Sequence, residues 1–457
     1  MCGIFGIYAP GRDVARLTYF GLHALQHRGQ ESAGIAVSDN GRLTALRDLG
    51  LVTQVFDEAK LSGLHGTFAI GHTRYSTTGR NAWANAQPLL HHGKTRTVAL
   101  GHNGNIVNAA ALRAELGIPL SSTSDSEVIA AMIANDESPL AEAIAHAMSK
   151  IEGAASVVGI AEGKLFAFRD LHGFRPLVLG YVGLDPVVAS ETCALDLVGA
   201  RFEREINPGE LVLLDESGVE STRVGGRPDP ALCIFEYFYL ARPDTRLEGI
   251  EVHGARVQMG VTLAREAPAE ADLVLPIPDS GTPAAIGFSR ESGIPFSEGL
   301  IKNRYVHRTF IQPDQAMREQ GIRMKFNPLD EVAGKRLVIV DDSIVRGSTT
   351  RQIVQMLFDS GAAEVHVRIS SPPVISPCFY GIDLATENEM IAAQTDVEGV
   401  RLAIGATSLA YLSLDGLQAA TQRPASELCR ACLTREYPTA RPDDAAKHRF
   451  EPAPARV

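Results

Sequence analysis

The chain has 457 residues, of which 45% are apolar and 21% charged, and a formal net charge of −11. That length predicts two or three domains with substantial cores, and the acidic balance excludes general affinity for nucleic acid. No apolar run is long enough to span a bilayer, and the N-terminus lacks the basic region and long apolar stretch of a signal peptide. A cytoplasmic protein is therefore expected, in which six unevenly spaced cysteines point to catalysis, metal binding or burial rather than to a disulfide framework.

The chain opens MCGIFGIYAP. The alternation of small and bulky apolar residues predicts a buried strand. Cys2 is then either a small core residue or, once Met1 is removed, a residue carrying a thiol and a free amine on one carbon. Strand-like runs follow: GIAVSD, TFAIGHTRYS, RTVALGHNGNIV, ASVVGIAEGKLFAFRD and GELVLLD, with helical stretches at DSEVIAAMIAND and AEAIAHAMSKI. Many strands with a few helices fit a layered α+β domain. Four motifs in this half carry candidate site residues. HRGQESAG supplies Arg28 and Gly29. GHTRYSTTG supplies Arg74, a fork suited to a carboxylate or a surface arginine after a strand. GHNGNI supplies Asn103 and Gly104, oxyanion donors or a plain Asn-Gly turn. TSDSE supplies Asp125, a partner for an ammonium group or a helix N-cap.

The Gly-, Pro- and charge-rich segment ESTRVGGRPDPA marks a boundary, so residues 2–228 form the first domain and 229–438 the second. Beyond it, apolar strands alternate with helices, the rhythm of an α/β domain with a mainly parallel sheet. ADLVLPIPDSG places Asp279, Ser280 and Gly281 at a strand end. Residues 302–325, KNRYVHRTFIQPDQAMREQGIRMK, hold six Lys/Arg and two Asp/Glu, a local cationic patch that suits an anionic ligand. RLVIVDDSIVRGSTTRQIVQMLF reads as a buried strand ending in two carboxylates, a small-residue loop, and a helix with Ile353, Val354 and Leu357 on its apolar face. Strand C-termini in such sheets carry ligands, and helix N-termini suit phosphate. Cys233, Cys378, Cys429 and Cys432, the last two in C-x₂-C, could share one tetrahedral zinc or an iron–sulfur cluster. Cys193 is left for the core, and residues 439–457 read as a tail without ordered structure.

The string RLVIVDDSIVRGSTT resembles the phosphoribosyl pyrophosphate (PRPP) signature of type I phosphoribosyltransferases. The resemblance implies that Asp341 and Asp342 hold the ribose hydroxyls and, with Ser280, place Mg²⁺. It implies that Ser343, Arg346, Gly347, Ser348, Thr349 and Thr350 belong to the loop cradling the 5′-phosphate, and that Asp279, Ser280 and Gly281 line the pyrophosphate. KNRYVHRTFIQP resembles the lid of the glutamine PRPP amidotransferases, a likeness that extends over about residues 2–438. Lys302, Arg304, Arg308 and Lys325 then stabilise the departing pyrophosphate. The lid departs from that family at His307, where glycine is usual.

By the same resemblance the first domain is similar to class II glutamine amidotransferases, with the αββα layers of an N-terminal-nucleophile hydrolase. Cys2 is then the nucleophile, expected without a propeptide ahead of it. Its α-amine, titrating near about 7.7–8.0, takes the thiol proton. Arg28, Arg74 and Asp125 bind glutamine, and Asn103 with Gly104 forms the oxyanion hole. The four cysteines match the cluster-bearing branch, which implies a structural [4Fe–4S] cluster. The implied reaction converts glutamine, PRPP and water to 5-phosphoribosylamine, glutamate and pyrophosphate, the first committed step of purine synthesis. A homotetramer inhibited by purine nucleotides is also implied. The competing reading is a PRPP-sensing regulator without turnover.

Overall fold

The alternation in GIFGIY becomes a strand whose Ile4 lies in the core between two sheets while Phe5 and Ile7 face a helical layer. This is the period of two that a strand buried on both faces requires. The computed structural model describes residues 2–303, 324–384, 386–442 and 450–451. In its first half, strands β1 (Gly3–Tyr8), β2 (Ser32–Asp39), β3 (Arg42–Leu49), β4 (Phe68–Arg74), β5 (Leu89–His92), β6 (Thr97–Ile106), β7 (Gly153–Ala161), β8 (Lys164–Arg169), β9 (Val178–Val182), β10 (Asp185–Ala189), β11 (Arg201–Glu205), β12 (Glu210–Asp215) and β13 (Gly218–Arg223) form two antiparallel sheets. Their orders are β11-β9-β10-β1-β4-β2-β3 and β13-β12-β8-β7-β6-β5.

Ile70, Val158, Ile160 and Leu179 pack between the sheets. The helix Val14–Ala24 covers the outer face of the first sheet. Helices Ser126–Asn135 and Leu140–Lys150 cover the second. The four layers are those expected from the resemblance. Pairing Gly3 with Thr73 across β1 and β4 brings Cys2 and Arg74 to the same end of the ladder.

The second half contains β14 (Leu232–Cys233), β15 (Arg246–Leu247), β16 (Ile250–Glu251), β17 (Leu273–Pro276), β18 (Leu300–Lys302), β19 (Phe326–Pro328), β20 (Arg336–Asp341), β21 (Glu364–Ile369), β22 (Ser408–Tyr411) and β23 (Leu428–Cys429). The sheet β17-β20-β21-β22 is parallel throughout. Its central strand is apolar on both faces, as a sheet covered on both sides demands. Val338 and Val340 pack with Met259 and Phe288, whereas Leu337 and Ile339 pack with Ile353, Val354 and Leu357. The last three, with Thr350, are the buried residues of helix Ser348–Asp359, spaced to one face.

The halves join through buried charge and stacking. Arg28 ion-pairs with Glu191 and Glu236, Arg175 pairs with Glu236 at 3.1 Å, and Phe174 stacks on Tyr380 with centroids 4.1 Å apart. The described residues of 439–457 also make contacts. Thr439 Oγ1 is 2.9 Å from Tyr380 Oη. Glu451 accepts hydrogen bonds from the Arg80 N–H at 2.8 Å and the Thr123 hydroxyl at 2.7 Å. The Arg113 guanidinium lies over the ring of Phe450. Among the described residues, no helix is long and apolar enough to cross a membrane.

Candidate functional site

Cys2 leads directly into β1 and is buried. Its backbone N–H donates to Asn103 Oδ1 at 3.2 Å, and its Sγ lies 3.8 Å from the carbonyl oxygen of Tyr75. Asn103 sits on β6, held opposite Ser156 of β7. Its Oδ1 is turned to Cys2, and its Nδ2 is buried with no hydrogen-bond partner among the described residues. Leaving a buried amide donor unpaired costs about 1–3 kcal/mol. Such a group needs an explanation, and a donor beside a thiol and adjacent to the Gly104 N–H suits a developing oxyanion.

Arg74 ends β4 and is 2% exposed. Its guanidinium donates to the carbonyls of Thr78 at 3.0 Å and Arg80 at 3.2 Å, so the loop after β4 folds around it. Glu31 lies 3.6 Å away and also accepts from the Ser76 N–H and hydroxyl. Asp125 occupies the N-cap position of helix Ser126–Asn135, yet its side chain does not cap. Instead Asp125 Oδ2 accepts from the Ile106 N–H at 2.9 Å, which ties the carboxylate to the end of β6. Cys2, Arg74, Asn103, Gly104 and Asp125 therefore all lie on or beside the ends of β1, β4 and β6.

Arg28 departs from the expectation. It is fully buried, and its guanidinium is committed to Glu191 and Glu236 rather than turned toward Cys2. Gly29 stays near the site through its backbone: a Cβ there would lie 2.6 Å from the carbonyl carbons of Thr73 and Arg74. The sequence reading missed Glu31, Tyr75 and Asn105, although all three lie inside or next to the quoted motifs. It also missed Arg175 and Glu236, which no local pattern marks.

In the second half, Asp341 closes β20 and Asp342 follows it. Asp342 accepts from the hydroxyls of Ser280 at 2.5 Å and Ser343 at 2.6 Å, so the loop after β17 meets the loop after β20. Burial, and then the charge of its neighbour, holds Asp341 well above the usual carboxylate range. Burial raises Asp342 as well, against the opposing pull of Ser280, Ser343 and Arg256. Two adjacent carboxylates held this way would be stabilised by a cation or by the hydroxyl hydrogens of a sugar. Gly347 adopts φ +75°, the left-handed region that glycine enters without strain, and launches helix Ser348–Asp359 with Ser348 and Thr349 exposed at its first turn. Gly281 is at the N-cap of helix Thr282–Ser292. Lys302 ion-pairs with Asp279, the Lys325 ammonium lies 5.1 Å from the centroid of the Phe326 ring, and Arg346 pairs with Glu389 at 3.2 Å. Arg304, His307 and Arg308 lie outside the described residues.

Cys233 and Cys429 face each other in the parallel pair β14–β23. Cys432 stands one turn on, in Ala431–Thr434, and Cys378 Sγ accepts from the Tyr380 N–H at 3.3 Å. Burial pushes the Cys233 thiol up to about 11 and lifts Cys429 and Cys432 well above the ordinary thiol value. The charges of neighbouring cysteines, Cys378 among them, raise all three further, so the four sulfurs lie within electrostatic reach of one another. Among the described residues no three His, Cys, Asp or Glu side chains stand close enough to share one metal ion. That geometry weighs against the single-zinc alternative. Three buried soft donors with the half-buried Cys378 beside them still fit a cluster, whose several metal atoms spread their thiolates more widely.

Comparison with known proteins assigns both halves. A glutamine amidotransferase domain model matches residues 72–196 and a phosphoribosyl transferase domain model residues 261–370. Amidophosphoribosyltransferase of Mycobacterium tuberculosis (strain ATCC 25618 / H37Rv) is 53% identical, over 97% of this chain and 88% of its own length. The solved structure of glutamine PRPP amidotransferase from B. subtilis, complexed with ADP and GMP, is 46% identical. It superimposes with a TM-score of 0.91 over 97% of this chain and 98% of its own. A structure described as the allosteric regulatory enzyme of purine biosynthesis is 45% identical, with a TM-score of 0.93 over the full length of both chains.

Proposed function

The chain belongs to the amidophosphoribosyltransferase family, and on that premise we propose how its residues divide the work. The enzyme converts glutamine, PRPP and water to 5-phosphoribosylamine, glutamate and pyrophosphate, a step of purine biosynthesis. It is a pentosyltransferase with a coupled glutaminase activity. Its first half is an α+β N-terminal-nucleophile hydrolase domain and its second an α/β type I phosphoribosyltransferase domain. We place the boundary at 228/229 and the end of the second domain at 438.

In the proposed glutaminase half, Met1 is removed and Cys2 Sγ attacks the carboxamide carbon of glutamine. The freed α-amine of Cys2 accepts the thiol proton and returns it to the departing ammonia. Asn103 Nδ2 and the Gly104 N–H receive the oxyanion, and the orphaned Nδ2 beside Cys2 is the observation that carries this assignment. Water then hydrolyses the thioester. Arg74 takes the α-carboxylate of glutamine and Asp125 its α-ammonium. Arg28 is withdrawn from this list by its buried pairing and becomes a contact between the halves.

In the second half, Asp341 and Asp342 hold the ribose hydroxyls. The Ser343–Thr350 loop, with Arg346, Gly347, Ser348 and Thr349, cradles the 5′-phosphate. Asp279, Ser280 and Gly281, with Lys302, Arg304, Arg308 and Lys325, surround the pyrophosphate as ammonia displaces it from the anomeric carbon. Mg²⁺, held by Asp341, Asp342 and Ser280, would supply charge neutralisation for the leaving pyrophosphate. Ammonia must stay unprotonated between the sites, so we propose that glutamine is hydrolysed mainly when PRPP is bound. Cys233, Cys378, Cys429 and Cys432 would hold a [4Fe–4S] cluster that clamps β14 and β23 to the 376–381 segment. A cytoplasmic homotetramer is proposed on the family likeness. Inhibition by purine nucleotides is supported by the ADP and GMP bound in the B. subtilis relative.

The test is 5-phosphoribosylamine formation from PRPP with glutamine or with ammonium as nitrogen donor. Cys2→Ser should abolish the first and keep the second; loss of neither overturns the nucleophile assignment. Absence of turnover with either donor in the natural chain would favour the PRPP-sensing regulator. Iron and sulfide analysis, paired with intact mass, reports the cluster and the loss of Met1 together.

A further inference from the structure

Among the described residues, the segment Phe379–Gly381 of the second domain packs against Gly104 and Asn105 in the wall of the amide-hydrolysing site. A Cβ on Gly381 would lie 2.9 Å from the carbonyl carbon, 3.0 Å from the oxygen and 3.1 Å from the Cα of Gly104. Side chains essentially never approach backbone that closely, so the two glycines meet backbone to backbone, and φ at Gly381 is +101°. The neighbouring Asn105 joins three elements. Its Nδ2 donates to the Phe379 carbonyl at 2.8 Å, and its Oδ1 accepts from the Thr78 hydroxyl at 2.6 Å. Thr78 belongs to the loop whose carbonyls fold around Arg74. The Thr77 hydroxyl also reaches the Gly104 carbonyl, at 3.4 Å.

The segment is itself fixed. The Tyr380 carbonyl accepts two hydrogen bonds from the buried Arg175 guanidinium, at 3.0 and 2.7 Å, and the Tyr380 ring stacks on Phe174. A rigid piece of one domain thus backs the Cα and carbonyl of Gly104, the residue whose N–H is an oxyanion donor of the other. We infer that Gly381 and Asn105 are positioning residues for glutamine hydrolysis, through which the phosphoribosyl half completes the glutaminase site. This rests on the assignment of Cys2, Asn103 and Gly104 made above.

The two residues should act differently. Gly381 sets where the Cα and carbonyl of Gly104 lie, and through them the direction of the N–H on the same residue. Oxyanion donors are matched to the tetrahedral transition state more than to the ground-state amide, so displacing that N–H should lower kcat and spare KM. Asn105 holds the Arg74 loop, which grips the substrate in ground and transition states alike, so its loss should raise KM for glutamine.

The experiment measures glutamine- and ammonium-supported phosphoribosylamine formation in Gly381→Ala, Asn105→Ala and Asn105→Asp, with Cys2→Ser as control. Gly381→Ala should lose at least about tenfold in glutamine kcat, with KM within about twofold. Asn105→Ala should raise glutamine KM by about fivefold. Asn105→Asp keeps an acceptor for Thr78 but places a carboxylate against the Phe379 carbonyl, and should match Asn105→Ala. All three should keep ammonium-supported rates. Equal loss of both activities, or unchanged glutamine kinetics in the Asn105 variants, overturns the inference. Should Gly381→Ala fail to fold, the Asn105 pair decides. A Cys2→Ser enzyme that still uses glutamine would instead sink the site assignment itself, whereas an inactive Cys2→Ser beside wild-type Asn105 variants sinks this inference alone.

Discussion

At Cys2 the polar groups are held one by one by antiparallel strands and their end loops: Asn103 by its place on β6, Asp125 by the Ile106 N–H, Arg74 by three loop residues. At Asp341 and Asp342 the parallel sheet delivers two carboxyl groups to one point, where burial opposes the ionisation of both and the charge of Asp342 raises Asp341 further. The first site is organised around a neutral, unpartnered donor of the kind that suits a negative oxygen. The second is organised around acids that a cation or sugar would stabilise. Strand direction underlies the contrast. Parallel strands bring all their C-terminal ends, with the loops that follow, to one edge, whereas antiparallel strands interleave loops and termini from distant parts of the chain.

The largest expected effect separates the sites. Asp342→Ala should cut both glutamine- and ammonium-supported phosphoribosylamine formation by at least about 10²-fold, and glutamate release should fall to the rate the natural chain shows without PRPP. Glutamate release that stays at the PRPP-stimulated level would show that the two sites are not coupled. Next in size is the joint between the halves. Arg28→Ala leaves Glu191 and Glu236 buried with less compensation and should cost about 3–5 kcal/mol in urea unfolding, because all three side chains are fully buried. A loss below about 1 kcal/mol would place that joint among weakly coupled surface pairs.

The effect that is smallest per step, a slope with pH, sharpens the contrast further. Burial pushes His72, on β4, down to about 3. Below about pH 6.5 the unfolded chain therefore binds a proton that the folded chain refuses. Stability from this residue is complete above that pH and declines by about 1.4 kcal/mol per unit as pH falls toward 3. Urea midpoints at several pH values should show this slope, and His72→Asn should remove it from the acid limb.

Much of both sites was legible in short strings. Cys2 after Met1, the paired aspartates after RLVIV and the Asn-Gly of GHNGNI each combine a local backbone form with a side chain of suitable chemistry. Asp125 shows where local rules mislead: its position is that of an N-cap, but its carboxylate turns to the end of β6. Arg28 misleads further. Its motif suggested substrate, and its partners stand 163 and 208 residues away.

What the sequence by itself determined is whatever short-range geometry controls. That covers the period of the strands and helices, the Gly347 turn that launches helix Ser348–Asp359, the placement of a thiol on the second residue, and the C-x₂-C spacing of Cys429 and Cys432. Only the tertiary structure decided which distant groups meet: Glu191 and Glu236 at Arg28, Gly381 against Gly104, and Asn105 between Thr78 and Phe379. Backbone preferences act over a few residues and so leave a trace in the string. Ion pairs and close packing choose partners by distance in space, and that distance exists only after the sheets have assembled.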